Sequence, residues 1–175
     1  MPNLGIIASS ISGTLVGDYQ SIATTTIGAG GASSITFSSI PSTYQHLQIR
    51  LFSRNSSDNG TVAMRYNSDS GSNYSFHDLY GTGAAVGVLG AANQTSVFAS
   101  LTGSTQAAVS IIDILDYANT NKYKTNRSFI GVDYNGSGYV WFSSGNWRNT
   151  AAINSIVLNA TFTQYTSAAL YGIKG

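Results

Sequence analysis

A chain of 175 residues fits one domain and can bury roughly 70% of the surface that its unfolded form exposes. It has no cysteine, so thiol nucleophiles, iron–sulfur clusters and cysteine-ligated zinc are excluded. Only 9% of residues are charged, the net charge is +1, and the eight basic residues are scattered from Arg50 to Lys174. Nothing in that pattern supplies the clustered positive charge that nucleic acids or anionic membranes attract.

Ser, Thr and Asn make up about a third of the chain, alongside eleven Tyr, seven Phe and two Trp. Aromatic and β-branched residues in that number argue for a pleated, half-buried surface and against disorder. All seven acids are aspartate, so a helix would lack its usual solvent face of Glu and Lys. The composition predicts an all-β protein.

The first seventeen residues stand apart. Leu4, Ile6, Ile7, Ile11, Leu15 and Val16 sit among Ser and Gly, a pattern too broken for a stable lone helix. No positive region precedes them, as an export signal needs, and no run approaches the roughly 18 apolar residues of a spanning helix. Residues 1–17 are expected to form an attachment arm and residues 18–175 one β-sandwich domain.

Strand signals then follow one another. Residues 21–27 and 33–37 flank the glycine turn GAGG, and Pro41 breaks the chain. Leu47, Ile49 and Leu51 alternate with Gln48, Arg50 and Phe52. SSDNG at 56–60 ends in Asn-Gly, a hairpin signal, and Val62, Met64 and Tyr66 alternate after it. Residues 74–80 are a further strand. The Gly- and Ala-rich stretch 81–93 has no period and is expected to be a surface loop. Residues 96–101 and 107–117 follow, the second being the most apolar strand. Residues 127–134 and 139–143 face each other across Asn135-Gly136-Ser137-Gly138, and 152–160 and 167–174 close the chain. Nine or ten short strands without a helical period predict two antiparallel sheets. A jelly-roll-like order is the expectation and an immunoglobulin-like order the alternative.

The candidate chemistry is sparse. Hydrolysis of sugar chains usually uses two carboxylates about 5–9.5 Å apart, and only Asp113, Asp116 and Asp133 are placed to meet. A three-residue step along a strand sets the first two on opposite faces, so the plainer reading is solvent-facing strand aspartates. His77 and Asp78 beside one of many serines make a triad only on paper, since no G-x-S-x-G elbow is present. Asn67, Asp69, Gly71, Asn73 and Asp78 echo an oxygen-rich calcium loop, with glycine one place early and the bidentate glutamate missing. The competing reading is a loop of Asx turns. Among the aromatics, Tyr74, Tyr80 and Trp147 are the candidates for stacking a glycan, against a plain role in core packing. No cofactor and no catalytic residue are expected.

Four stretches carry a family likeness: IPSTY at 40–44 leading into 47–51, RYNSDSGSNYS at 65–75, WRNTAAINSI at 147–156 and LYGIK at 170–174. Together they resemble small β-sandwich virion surface proteins of tailed bacteriophages, of the capsid decoration (cement), head-fibre or tail-fibre-tip type, and LGIIASSISG at 4–13 looks like the opening of such proteins. The resemblance implies a non-enzymatic structural protein on the outer surface of the virion, often a homotrimer. Its implied partners are copies of itself, major capsid or tail proteins, and in a tail location a host-surface glycan. The short segment before the sandwich favours a decoration protein anchored by its arm over a fibre, which needs a stalk.

Overall fold

The computed structural model describes residues 18–175, and the attachment arm expected at 1–17 lies outside them. Twelve strands follow in order: β1 (Tyr19–Thr26), β2 (Ala32–Phe37), β3 (His46–Ser53), β4 (Gly60–Tyr66), β5 (Tyr74–Gly81) and β6 (Val86–Gln94) come first. They are followed by β7 (Val97–Thr102), β8 (Ala108–Leu115), β9 (Lys124–Asp133), β10 (Gly138–Trp147), β11 (Ile156–Phe162) and β12 (Ser167–Ile173). All pairings between them are antiparallel. The all-β sandwich expected from composition is the fold.

One sheet has eight strands in the order β1-β12-β3-β8-β9-β10-β5-β6, the other four in the order β2-β11-β4-β7. Setting aside the hairpins β5–β6 and β9–β10 leaves β1-β12-β3-β8 opposite β2-β11-β4-β7. Those eight strands change sheet at every step except β4 to β7, which pair directly, and that is a jelly roll: one long double ribbon (β1 to β4 against β12, β11, β8 and β7) rolled onto itself. The two hairpins are insertions that widen only one of the sheets.

Local sequence explains why the strands sit as they do. In β3, Leu47, Ile49, Leu51 and Ser53 are buried while Arg50 and Phe52 are exposed, the period of two that a one-sided strand requires. The same alternation runs through β8, β9 and β12. Facing side chains of the two sheets, among them Ile49, Ile112 and Leu170 against Met64, Leu158 and Ile35, form one continuous core.

One turn is placed and two expectations are corrected. The GAGG turn joins β1 to β2, which lie in different sheets, so it carries a crossover and not a hairpin. The Asn-Gly at 59–60 does the same between β3 and β4; Asn59 has φ of 61°, so the turn chemistry was right and the partner wrong. The stretch 81–93 is mostly the strand β6, paired with β5 from Val86 opposite Gly81 to Gln94 opposite Tyr74. Its glycines and alanines hid the period that a strand normally shows.

The hairpin read at Asn135-Gly136 is present. Asn135 and Gly136 have φ of 64° and 98°, the positive values that a type I′ turn needs at both central positions. Gly138 follows with φ of 142°, and a Cβ there would stand 2.1 Å from the carbonyl oxygen of Val132. Gly138→Ala should therefore cost at least about 1–3 kcal/mol, whereas Ser137→Ala, one residue away and exposed, should stay within about 0.5 kcal/mol. Equal urea midpoints for the two variants would overturn this account of the turn.

Candidate functional site: the outer face of the larger sheet

A sandwich buries one face of each sheet and offers the other to solvent. The offered face of the eight-stranded sheet is unusual in what it carries. Strand register places Arg50, Ile111, Phe129, Phe142, Leu79 and Val88 in one row across six strands, from β3 to β6. A second row alongside runs Phe52, Val109, Gly131, Val140, Gly81 and Val86. On the other flank lies a polar row of Gln48, Asp113, Arg127, Ser144, His77 and Gly90.

Apolar side chains on this face are far from buried. Phe129 is 49% exposed, Phe142 53% and Val88 73%, although the two phenyl rings stack on each other with centroids 4.8 Å apart. Scattered exposed apolar residues are ordinary, but a contiguous patch rimmed by polar groups marks an interaction surface. Two shallow hollows indent it. One, of about 650 Å³, is lined by Leu79, Ile111, Phe129 and Phe142 with His77, Asp113 and Arg127 at its polar side. The other, of about 500 Å³, lies between Arg50, Phe52, Val109, Ile111 and Phe129. Ile111 and Phe129 form the ridge between them.

Sequence reading missed this face. A run such as AVSIIDIL in β8 reads as a strand buried on both sides. Counting by twos separates buried Ser110, Ile112 and Ile114 from outward Val109, Ile111 and Asp113, so the signal was an apolar strand whose outward positions are themselves apolar.

The residues that sequence reading singled out lie elsewhere. Tyr74 and Trp147, candidates for glycan stacking, are 0% and 1% exposed. They are corrected to core: Trp147 packs on Tyr66 and Tyr74 with centroids 5.6 and 6.3 Å away, which leaves no ring face for a sugar. Tyr80 is half-buried and stacks on Trp141 at 4.2 Å.

The calcium-like loop is spent on its own backbone and neighbours. The Asp69 carboxylate accepts hydrogen bonds from the Trp147 indole N–H at 2.7 Å, the Gly71 N–H at 2.8 Å and the Asn73 amide at 2.9 Å. Asn67 donates to Ala152 O at 2.8 Å and accepts from the N–H groups of Asn154 and Ser155. Asp78 is not brought to them. It stands on the inner face of β5, buried beside Ser143 and Ser128, with Oδ1 lacking any hydrogen-bond partner. The four candidate ligands thus do not converge, and no group of three or more His, Cys, Asp or Glu residues converges on a common point among the described residues.

The aspartates considered for hydrolysis are likewise held apart. Asp113 on the outer face accepts from Gln48 Nε2 at 2.9 Å, Asp116 pairs with Lys122 and lies 3.6 Å from His46 Nδ1, and Asp133 caps the β9–β10 turn through the N–H groups of Asn135 and Gly136. His77 and Asp78 are adjacent in β5 and therefore point to opposite faces, so the paper triad does not assemble.

The stretches 40–44, 65–75 and 147–156 meet at one end of the sandwich. The N–H of Arg148 donates to Asn73 O at 2.8 Å, that of Asn67 to Ser155 O at 3.0 Å, and that of Ile40 to Asn154 O at 2.9 Å. Lys124 is fully buried beside them and donates from Nζ to the carbonyls of Asn119, of Lys122 at 2.9 Å and of Thr150 at 3.0 Å. All three ammonium protons have acceptors, the condition for burying such a charge. Desolvation draws its pKa below the usual lysine value, and Lys122 adds to the effect.

No family model matches the chain, and no curated protein matches it. Among solved structures, a protein of unknown function from Shewanella oneidensis MR-1 aligns over 90% of this chain and 76% of its own, at 10% identity and a TM-score of 0.26.

The carboxyls of Asp69 and Asp78 should respond to acid in opposite senses. Hydrogen bonding, from Trp147 first, holds Asp69 below the ordinary value of 3.8; its contribution is present above that pH and lost as pH falls through the folded pKa. Asp69→Asn should lower stability by about 1–2 kcal/mol at pH 7, with the gap to wild type narrowing in acid. Burial raises Asp78 above 3.8, so its ionised form is the costly one and stability recovers as pH falls. Asp78→Asn should melt above wild type at pH 7 and draw level below about pH 4. Parallel melting curves for wild type and both variants from pH 3 to 8 would contradict these assignments.

Proposed function

We propose that the protein is a non-enzymatic structural protein of a tailed-phage particle, a decoration protein on the outer surface that is anchored by residues 1–17. The observation that carries the structural role is the apolar, solvent-facing row on the larger sheet. A surface of this kind is made for association, and Asp69, Asp113, Asp116, Asp133 and His46 are committed to local hydrogen bonds. The phage assignment rests on the sequence resemblance. Jelly rolls are also a recurrent architecture of viral shells and lectins, which is a likeness of fold and not of function.

The glycan-binding tail component, the other reading that the resemblance implies, loses support with Tyr74 and Trp147 in the core. Immunogold labelling of particles released from cells that make the protein should decorate heads. Label confined to tails would move the assignment to the fibre reading, and label on neither would end it.

The arm gives a second test. Burying four of its aliphatic side chains contributes roughly 6–12 kcal/mol, close to what ordering about ten residues costs, so each arm is a weak anchor that gains from multiplicity. Deleting residues 2–13 should shift Tm by less than about 3 °C and abolish co-sedimentation with particles. A truncated chain that fails to fold would assign the segment to the sandwich and remove the anchoring role.

A further inference from the structure

We infer that the outer face of the eight-stranded sheet is the interface between two copies of this chain, packed face to face on a two-fold axis that runs parallel to the strands between β8 and β9. The inference rests on the structural reading above for its premise of self-association, and not on the particle assignment.

Three observations support a second copy as the occupant. The first is area. On the stated axis, at the middle of the eight strands, the contact spans seven strand spacings, about 33 Å, and its three rows cover about 20 Å along the strands. With side-chain relief this approaches the roughly 800 Å² that each partner contributes to a standard interface. The second is charge. Directly opposed Asp113 and Arg127 form no ion pair with each other, since the ion pairs among the described residues are those of Asp116. An isologous contact needs a surface complementary to itself. The stated axis superposes β8 of one copy on β9 of the other, so Asp113 lies over Arg127 of the second copy and Arg127 over its Asp113. The same operation sets Ile111 over Phe129 twice, ridge on ridge flank, and Phe142 over Arg50, a cation–π arrangement.

The third observation is the end of the patch. The free edge β6 reads VGVLGAANQ, without a charge or a proline, whereas edges left in solvent are usually protected by one or the other. Val86 and Val88 on that edge continue the two apolar rows, so a partner face covers the apolar side chains that this edge carries. Two sheets packed in this way stand about 10 Å apart, the separation that interdigitating Phe, Ile and Leu side chains fill. The homotrimer implied by the resemblance is built on heterologous contacts, which do not set Asp113 and Arg127 against each other reciprocally.

Light scattering on the full chain at micromolar concentration should give twice the 18.4 kDa chain mass. Phe129→Asp and Arg127→Asp should each weaken the dimer at least tenfold, with the circular dichroism spectrum unchanged and Tm lowered only as far as lost association and the local charge change require. Combining Arg127→Asp with Asp113→Arg should restore it, while Tyr123→Asp, at an exposed loop residue away from the face, should leave it intact. A monomeric wild type overturns both the interface and self-association. An assembly indifferent to Phe129→Asp and Arg127→Asp overturns the interface alone, and failure of the charge swap to restore the dimer overturns the two-fold axis. Should Phe129→Asp misfold, Phe142→Gln replaces it and is read against the same outcomes.

Discussion

The seam between β8 and β9 is the contact on which the rest of the structure depends. In a plain eight-stranded jelly roll β8 would be an edge, with a row of unpaired N–H and C=O groups open to any other chain. Here its residues Val109 to Leu115 pair with β9, and through β9 the sheet extends to β10, β5 and β6. Because both hairpins add to the same sheet, the sandwich becomes lopsided, eight strands against four. Its larger face is both wide enough and apolar enough to act as a surface in its own right.

The lopsidedness also accounts for the polar residues inside. Under the centre of the larger sheet the opposing strands supply a full apolar partner, and Ile49, Ile112 and Leu170 meet it. Moving outward along the same inner row, the register passes through Ser128, Ser143 and Asp78, all buried and with at least one polar atom lacking a partner. A sheet covered by only half its number of strands cannot pack every inner position, and small hydroxylated side chains occupy the margin. Asp78 is the extreme case, a carboxyl whose burial opposes its own ionisation.

How far the sequence carried depended on the range over which the deciding interactions act. Period-two alternation in β3 and the positive-φ pair Asn135-Gly136 are settled within a few residues, and both were legible. Whether a turn closes a hairpin or crosses between sheets is settled by partners more than a hundred residues away, as when β1 pairs with β12. The turn at 59–60 therefore had the right chemistry and the wrong consequence. Asp69 and Trp147, 78 residues apart, were candidates for a cation and a sugar respectively, against the readings of an Asx-turn loop and core packing. Each is in fact the other's partner, a relation that no local pattern contains. The apolar outer face was hidden for a related reason: an apolar residue in a strand is read as buried until the topology says which side is covered.

Lys124 has a practical consequence. The chain has three lysines, Lys122, Lys124 and Lys174, and Lys124 has its amine wrapped by three carbonyls in the interior. Reagents that modify amines, and proteases that cut after lysine, meet this side chain only when the end of the sandwich opens. Its rate of modification relative to exposed Lys122 is therefore a built-in clock for opening of the fold, readable from peptide masses without any added probe.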